Sequence, residues 1–126
     1  MNPKVKNIWV KALQSGEYKQ TVGILCKEVQ GERKYCCLGV LTDLFTKEFP
    51  GKLEETKLRN GNIQYSDGAG FHSAFLPAVV VEWAELELQS PIVMYQNTRM
   101  VELSSLNDNN HSFTEIAMII KHSETL

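Results

Sequence analysis

The chain reads as an α+β domain of about four helices packed on a small antiparallel sheet, with residues 1–126 forming a single domain. Three observations predict this. Apolar residues recur with helical period in four separate stretches, β-branched and aromatic runs flank glycine-centred turns between them, and no repeat or long linker divides the 126 residues. With 43% hydrophobic residues, a chain of this length can bury close to two-thirds of the surface its unfolded form exposes, so one compact core is expected.

The first helix starts at Asn2, which can cap it, with Pro3 at the favoured first helical position and Gly16 just past its end. Val5, Ile8, Trp9, Ala12 and Leu13 fall on one stripe, which assigns Trp9 to the core rather than to a ligand contact. From Tyr18 to Cys37 the period changes. The runs "TVGILCKEV" and "RKYCC" flank "QGE", a hairpin turn at Gly31 that places Cys26 roughly opposite Cys37.

After Cys37 a second helix presents Leu38, Leu41, Leu44 and Phe45 on one face and Thr42, Asp43 and Thr46 on the other, and Pro50 and Gly51 end it. The polar stretch that follows offers an edge hairpin from "KLEETKL" and "NIQY", then a flexible loop, "SDGAG", from Ser66 to Gly70. Pro77 opens a third helix with Val79, Val80, Trp83 and Leu86 on one face and Glu82 and Glu85 off it. "SPIVMY" reads as a strand, "VELSSL" as a short apolar turn. Ser112 and Glu115 form a capping box for the last helix, whose buried stripe is Phe113, Ile116, Ala117 and Ile120.

Thirteen Lys and Arg against fifteen Asp and Glu give a net charge of −2 with the signs interspersed, which argues against a face that binds double-stranded nucleic acid. No run reaches the roughly 18 apolar residues of a membrane span, and the lysine-threaded N-terminus is not of signal-peptide type. The expected location is therefore the cytoplasm. Three cysteines, an odd number, favour reduced thiols over a disulfide framework.

Chemistry has few candidates. Cys36 and Cys37 precede a helix start and have Arg33 and Lys34 close in sequence, the setting that lowers a thiol pKa and makes a nucleophile. The competing and weightier reading makes them small buried side chains at a strand-to-helix joint, because no base is marked nearby and adjacent strand residues point to opposite faces. His72, His111 and His122 with the cysteines lack metal-ligand spacing, and "NDNN" at Asn107 to Asn110 lacks the glycine and glutamate of a calcium loop. No metal or cofactor is expected. There is no glycine-rich phosphate loop followed by lysine, and no carboxylate pair is placed as acid and base. What remains is a set of polar groups beside aromatics, Tyr18, Gln20, Tyr35, Asp43, Asn107 and Asp108, which with Cys36 could line a recognition pocket.

The segments "WVKALQSGEYKQ", "YCCLGVLTDL", "LPAVVVEWAEL" and "LSSLNDNNHSFTEIAMII" resemble a group of small uncharacterised proteins of bacteriophages and prophages. The likeness covers about half the chain and leaves residues 46 to 75 outside it. It implies a context rather than an activity, that of a small accessory protein acting inside an infected bacterial cell. The leading expectation is a non-enzymatic counter-defence factor that sequesters a small nucleotide-type ligand or inhibits a host defence protein. Tyr18 or Tyr35 would stack on the ligand and Gln20, Asn107 and Asp108 would hydrogen-bond it, across a homodimer interface if one forms. The alternatives are a hydrolase or transferase using Cys36 or Cys37, and a protein-interaction module with an apolar patch around Phe71, Phe75 and Leu76.

Overall fold

A computed structural model describes residues 1–126. It has the α+β architecture, with five helices and small, mainly antiparallel sheets around one contiguous core. Helix α1 (Pro3–Gln14) begins where Asn2 Oδ1 accepts the amides of Lys4 and Val5 at 2.9 and 3.2 Å. It buries Val5, Trp9, Val10 and Leu13. The Trp9 indole is fully buried, and its Nε1 donates to the carbonyl of Cys37 at 3.0 Å, so α1 grips the start of the next helix.

Strand β1 (Lys19–Gln20) pairs in parallel with β3 (Glu32–Tyr35), and β2 (Cys26–Val29) pairs antiparallel with β3, giving the order β1-β3-β2. In the β2–β3 turn both Gln30 (φ 55°) and Gly31 (φ 77°) are left-handed, the geometry that matches the twist of a tight hairpin. Cys26 faces Tyr35, not Cys37 as the sequence suggested, because the chain has already entered the helix at Cys37. The parallel strand β1 is too short to carry a period of its own.

Helix α2 (Cys37–Glu48) is central, packing on α1, β3 and two helices described below. Thr42, expected on a polar face, is therefore fully buried, and its hydroxyl is satisfied by donating to the Leu38 carbonyl at 3.0 Å. Strands β4 (Glu54–Lys57), β5 (Ile63–Ser66) and β6 (Phe71–His72) form a second sheet. An ion cluster ties it to the first: Arg33 reaches Glu28 at 2.9 Å and Glu55 at 2.5 Å, and Lys57 reaches Glu28 at 2.9 Å.

Helix α3 (Ala78–Ala84) buries Val80 and Ala84 and sets Trp83 edge-on to Phe45 and Phe49 of the α2 end. "SPIVMY" forms β7 (Ile92–Tyr95), but "VELSSL", expected as a short apolar turn, instead spans the end of β8 (Arg99–Glu102) and the start of a six-residue helix α4 (Leu103–Asp108). Helix α5 (Phe113–His122) starts at the Ser112–Glu115 capping box and lies along α1. No helix is long and apolar enough to cross a membrane.

Candidate ligand cleft at the cap of helix α2

Cys36 is the N-cap of α2, its sulfur accepting the Gly39 amide at 3.4 Å. This cap is pressed onto the loop before β2: the Cys36 amide donates to the Leu25 carbonyl at 3.3 Å, and a Cβ on Gly39 would stand 1.7 Å from that same oxygen. Only glycine fits there. The second orphan amide of the helix start, Cys37 N–H, is taken by Asn107 Oδ1 at 3.1 Å.

Asn107 is a saturated hub. Its Oδ1 also accepts from Gln20 Nε2 at 2.9 Å, while its Nδ2 donates to the Thr21 carbonyl at 2.8 Å and to Asp108 Oδ1 at 3.2 Å. Both acceptor sites and both protons are thus used inside the protein, and the side chain is fully buried. Gln20 Nε2 spends its other proton on the His111 carbonyl at 2.8 Å, and Asp108 Oδ1 accepts the Gly23 amide at 2.9 Å. Together these bonds lock β1, the 21–23 loop, the α2 start and the end of α4.

Tyr18, Tyr35 and Asp43 meet in a second group. The Tyr18 hydroxyl donates to Asp43 Oδ2 at 2.6 Å, Lys47 Nζ reaches both at 3.1 and 3.3 Å, and the Tyr18 and Tyr35 rings lie edge to face at 5.2 Å. Burial, helped by the bond to Asp43, pushes the Tyr18 phenol up to about 12, and burial raises Tyr35 as well. The aromatic pair expected to stack on a ligand stacks on itself.

Of the seven residues singled out from the sequence, Cys36 and Asp108 line a common cleft, of about 260 Å³, with Gly23, Ile24, Ala74, Phe75, Glu102, Ser104 and Ser105. Tyr18, Gln20, Tyr35, Asp43 and Asn107 are not among its walls: Asn107, with Gln20 bonded to it, braces the α2 start beside Cys36, and Tyr18, Tyr35 and Asp43 form their own group. Phe75 is half exposed at the cleft, and Asp108 Oδ2 has no protein partner. Glu102, Ser104 and Ser105 escaped the sequence reading because "VELSSL" looked like an apolar turn; the Leu103–Leu106 spacing around two serines was the available helical signal.

The thiols are held protonated. Burial pushes Cys36 up to about 11, raises Cys37 far above its ordinary value, and raises Cys26 too. Cys37 Sγ turns inward to the Leu103 carbonyl at 3.6 Å. No group of three or more His, Cys, Asp or Glu is placed to hold a metal ion.

Neither a curated protein nor a solved structure matches the chain. A family model does match, over residues 1–124, and the chain belongs to that family, described as the domain of unknown function DUF8296.

Proposed function

We propose that the protein is a non-enzymatic binding protein, a small accessory factor of bacteriophage type that acts in the host cytoplasm and captures a nucleotide-type ligand as a counter-defence measure. The observation that carries this reading is the cleft over the α2 cap, where Phe75, Ser104, Ser105 and Asp108 converge beside a sulfur whose proton is firmly held. An apolar ring with a few placed polar groups is what a recognition site requires. Two carboxylates, Glu102 and Asp108, bias the cleft toward hydrogen-bond donors such as base amino groups and ribose hydroxyls. The same burial that keeps the thiols protonated weighs against the cysteine-enzyme alternative, since the thiolate is the nucleophile.

Calorimetry against cyclic dinucleotides, cyclic oligonucleotides and ADP-ribose derivatives tests the proposal. Binding that drops at least about tenfold in Phe75→Ala and Ser105→Ala variants is expected. No binding by any of these ligands would remove the small-ligand reading. A second reading, inhibition of a host protein, is favoured by Phe71 and Phe75, which are 70% and 50% exposed within four residues of each other. It predicts a host protein whose capture is lost in a Phe71→Ser/Phe75→Ser variant.

A further inference from the structure

The β1-β3-β2 sheet has a second face, turned away from the core. Gln20, Tyr35 and Cys26 share its inner rung, so the residues one step away point outward together: Lys19, Lys34 and Lys27. Lys34 is directly opposite Lys19 on one side and directly opposite Lys27 on the other. Like charges in register across strands destabilise a sheet, and here the arrangement occurs twice over.

Protection of sheet edges, the usual structural use of lysine on strands, does not account for the row. Lys34 is on the central strand, and at Lys27 the outer edge of β2 is already met by the bridge to Asn62. The counter-charges are also incomplete. Lys19 pairs with Glu32 at 2.9 Å, whereas Lys27 and Lys34 have no carboxylate partner, unlike Arg33, Lys47 and Lys57. On a chain of net charge −2, three cations facing one anion are a local excess. Lys27 and Lys34 open on a cleft of about 420 Å³ lined also by Thr21, Val29, Gln30 and Glu32, and Lys19 stands outside it, held by Glu32.

We propose that this face binds the phosphate chain of a small oligophosphate such as a nucleoside di- or triphosphate. Its oxygens bridge the ammonium groups of Lys27 and Lys34, and the Gln30 side chain and Thr21 hydroxyl supply hydrogen bonds. Charge complementarity selects the ligand, and the extent of the row sets its size. Three strands span two inter-strand spacings, roughly 10 Å, and the next outward rung is Val29 and Glu32, an apolar and an acidic residue. A nucleic-acid strand would find no continuing cationic track. The site stands independently of the cleft over the α2 cap, whose carboxylates suit a different part of a ligand, and either can fail alone.

The test is titration of the full chain with inorganic tripolyphosphate at about 50 mM and about 300 mM salt, then with ATP, AMP and oligothymidylates. Expected are one site, marked weakening at the higher salt, ATP binding more tightly than AMP, and a loss of at least about tenfold in Lys27→Gln/Lys34→Gln. Lys4→Gln/Lys52→Gln should bind as the parent does. Lys34→Gln alone, with like-charge repulsion relieved, should melt no lower than the parent without ligand, which shows that lost binding is not lost folding. The proposal is overturned by absence of tripolyphosphate binding at low salt, by undiminished binding in the double variant, or by affinity that grows with oligothymidylate length while tripolyphosphate fails to compete.

Discussion

The carbonyl oxygen of Leu25 occupies the space where a side chain on Gly39 would begin, 1.7 Å from the position of its Cβ. Backbone meets backbone at this contact, so no side-chain rotation can relieve an added methyl. Gly39→Ala is expected to destabilise the fold by about 3 kcal/mol or more, read from the denaturation midpoint in urea. A loss under about 1 kcal/mol would show that helix α2 can lift off the loop freely.

Removing Asn107 takes a partner from several groups at once. Asn107→Ala leaves the buried Cys37 amide without its acceptor and takes one partner each from the part-buried Thr21 carbonyl and the Gln20 side-chain amide, which keeps its bond to the His111 carbonyl. A cost of about 2–4 kcal/mol follows. Combined with Gln20→Ala, the losses should be non-additive by about 1 kcal/mol, because both side chains serve one network. Simple additivity in a double-mutant cycle would contradict the hub.

Alkaline pH should undo the Tyr18–Asp43 contact. The folded-state phenol is raised from 10.0 to about 12, so its contribution is complete below pH 10, declines as pH rises above it, and is lost once the folded protein itself ionises near 12. Cys36, raised from 9.0 to about 11, acts in the same direction from pH 9 upward. Denaturation midpoints across pH 8 to 12 should fall over that window. Tyr18→Phe should be less stable at neutral pH and show a shallower fall; an unchanged slope would place the alkaline sensitivity elsewhere.

The cysteines should resist alkylation. With Cys36 near 11 against an ordinary 9.0 and all three thiols buried, iodoacetamide at neutral pH should label the native protein on the order of 100-fold more slowly than a free cysteine. Mass spectrometry of the time course reads this directly. Rapid single-site modification of Cys36 or Cys37 in the folded protein would revive the nucleophile.

The elements legible in the sequence were those with a strong local signal: Asn2–Pro3 opening α1, the Gln30–Gly31 turn, and the Ser112–Glu115 box opening α5. What escaped depends on partners distant in the chain. Two-residue β1 exists because β3 lies beside it, and Thr42 is buried because α2 is enclosed on several sides. The same holds for the site. Residue type singled out Asn107, Asp108 and Tyr18 as candidate ligand contacts. It could not show that Asn107 and Tyr18 would be satisfied by Gln20 and Asp43, 87 and 25 positions away, while Asp108 keeps an oxygen free.

The anchoring of Trp9 to the Cys37 carbonyl also separates the two indoles spectroscopically. Trp9 is sealed in the interior, whereas Trp83 remains partly open beside Phe45 and Phe49. Acrylamide should therefore quench only a fraction of the native emission. The unquenched part is an intrinsic fluorescent gauge of whether the first two helices are still joined.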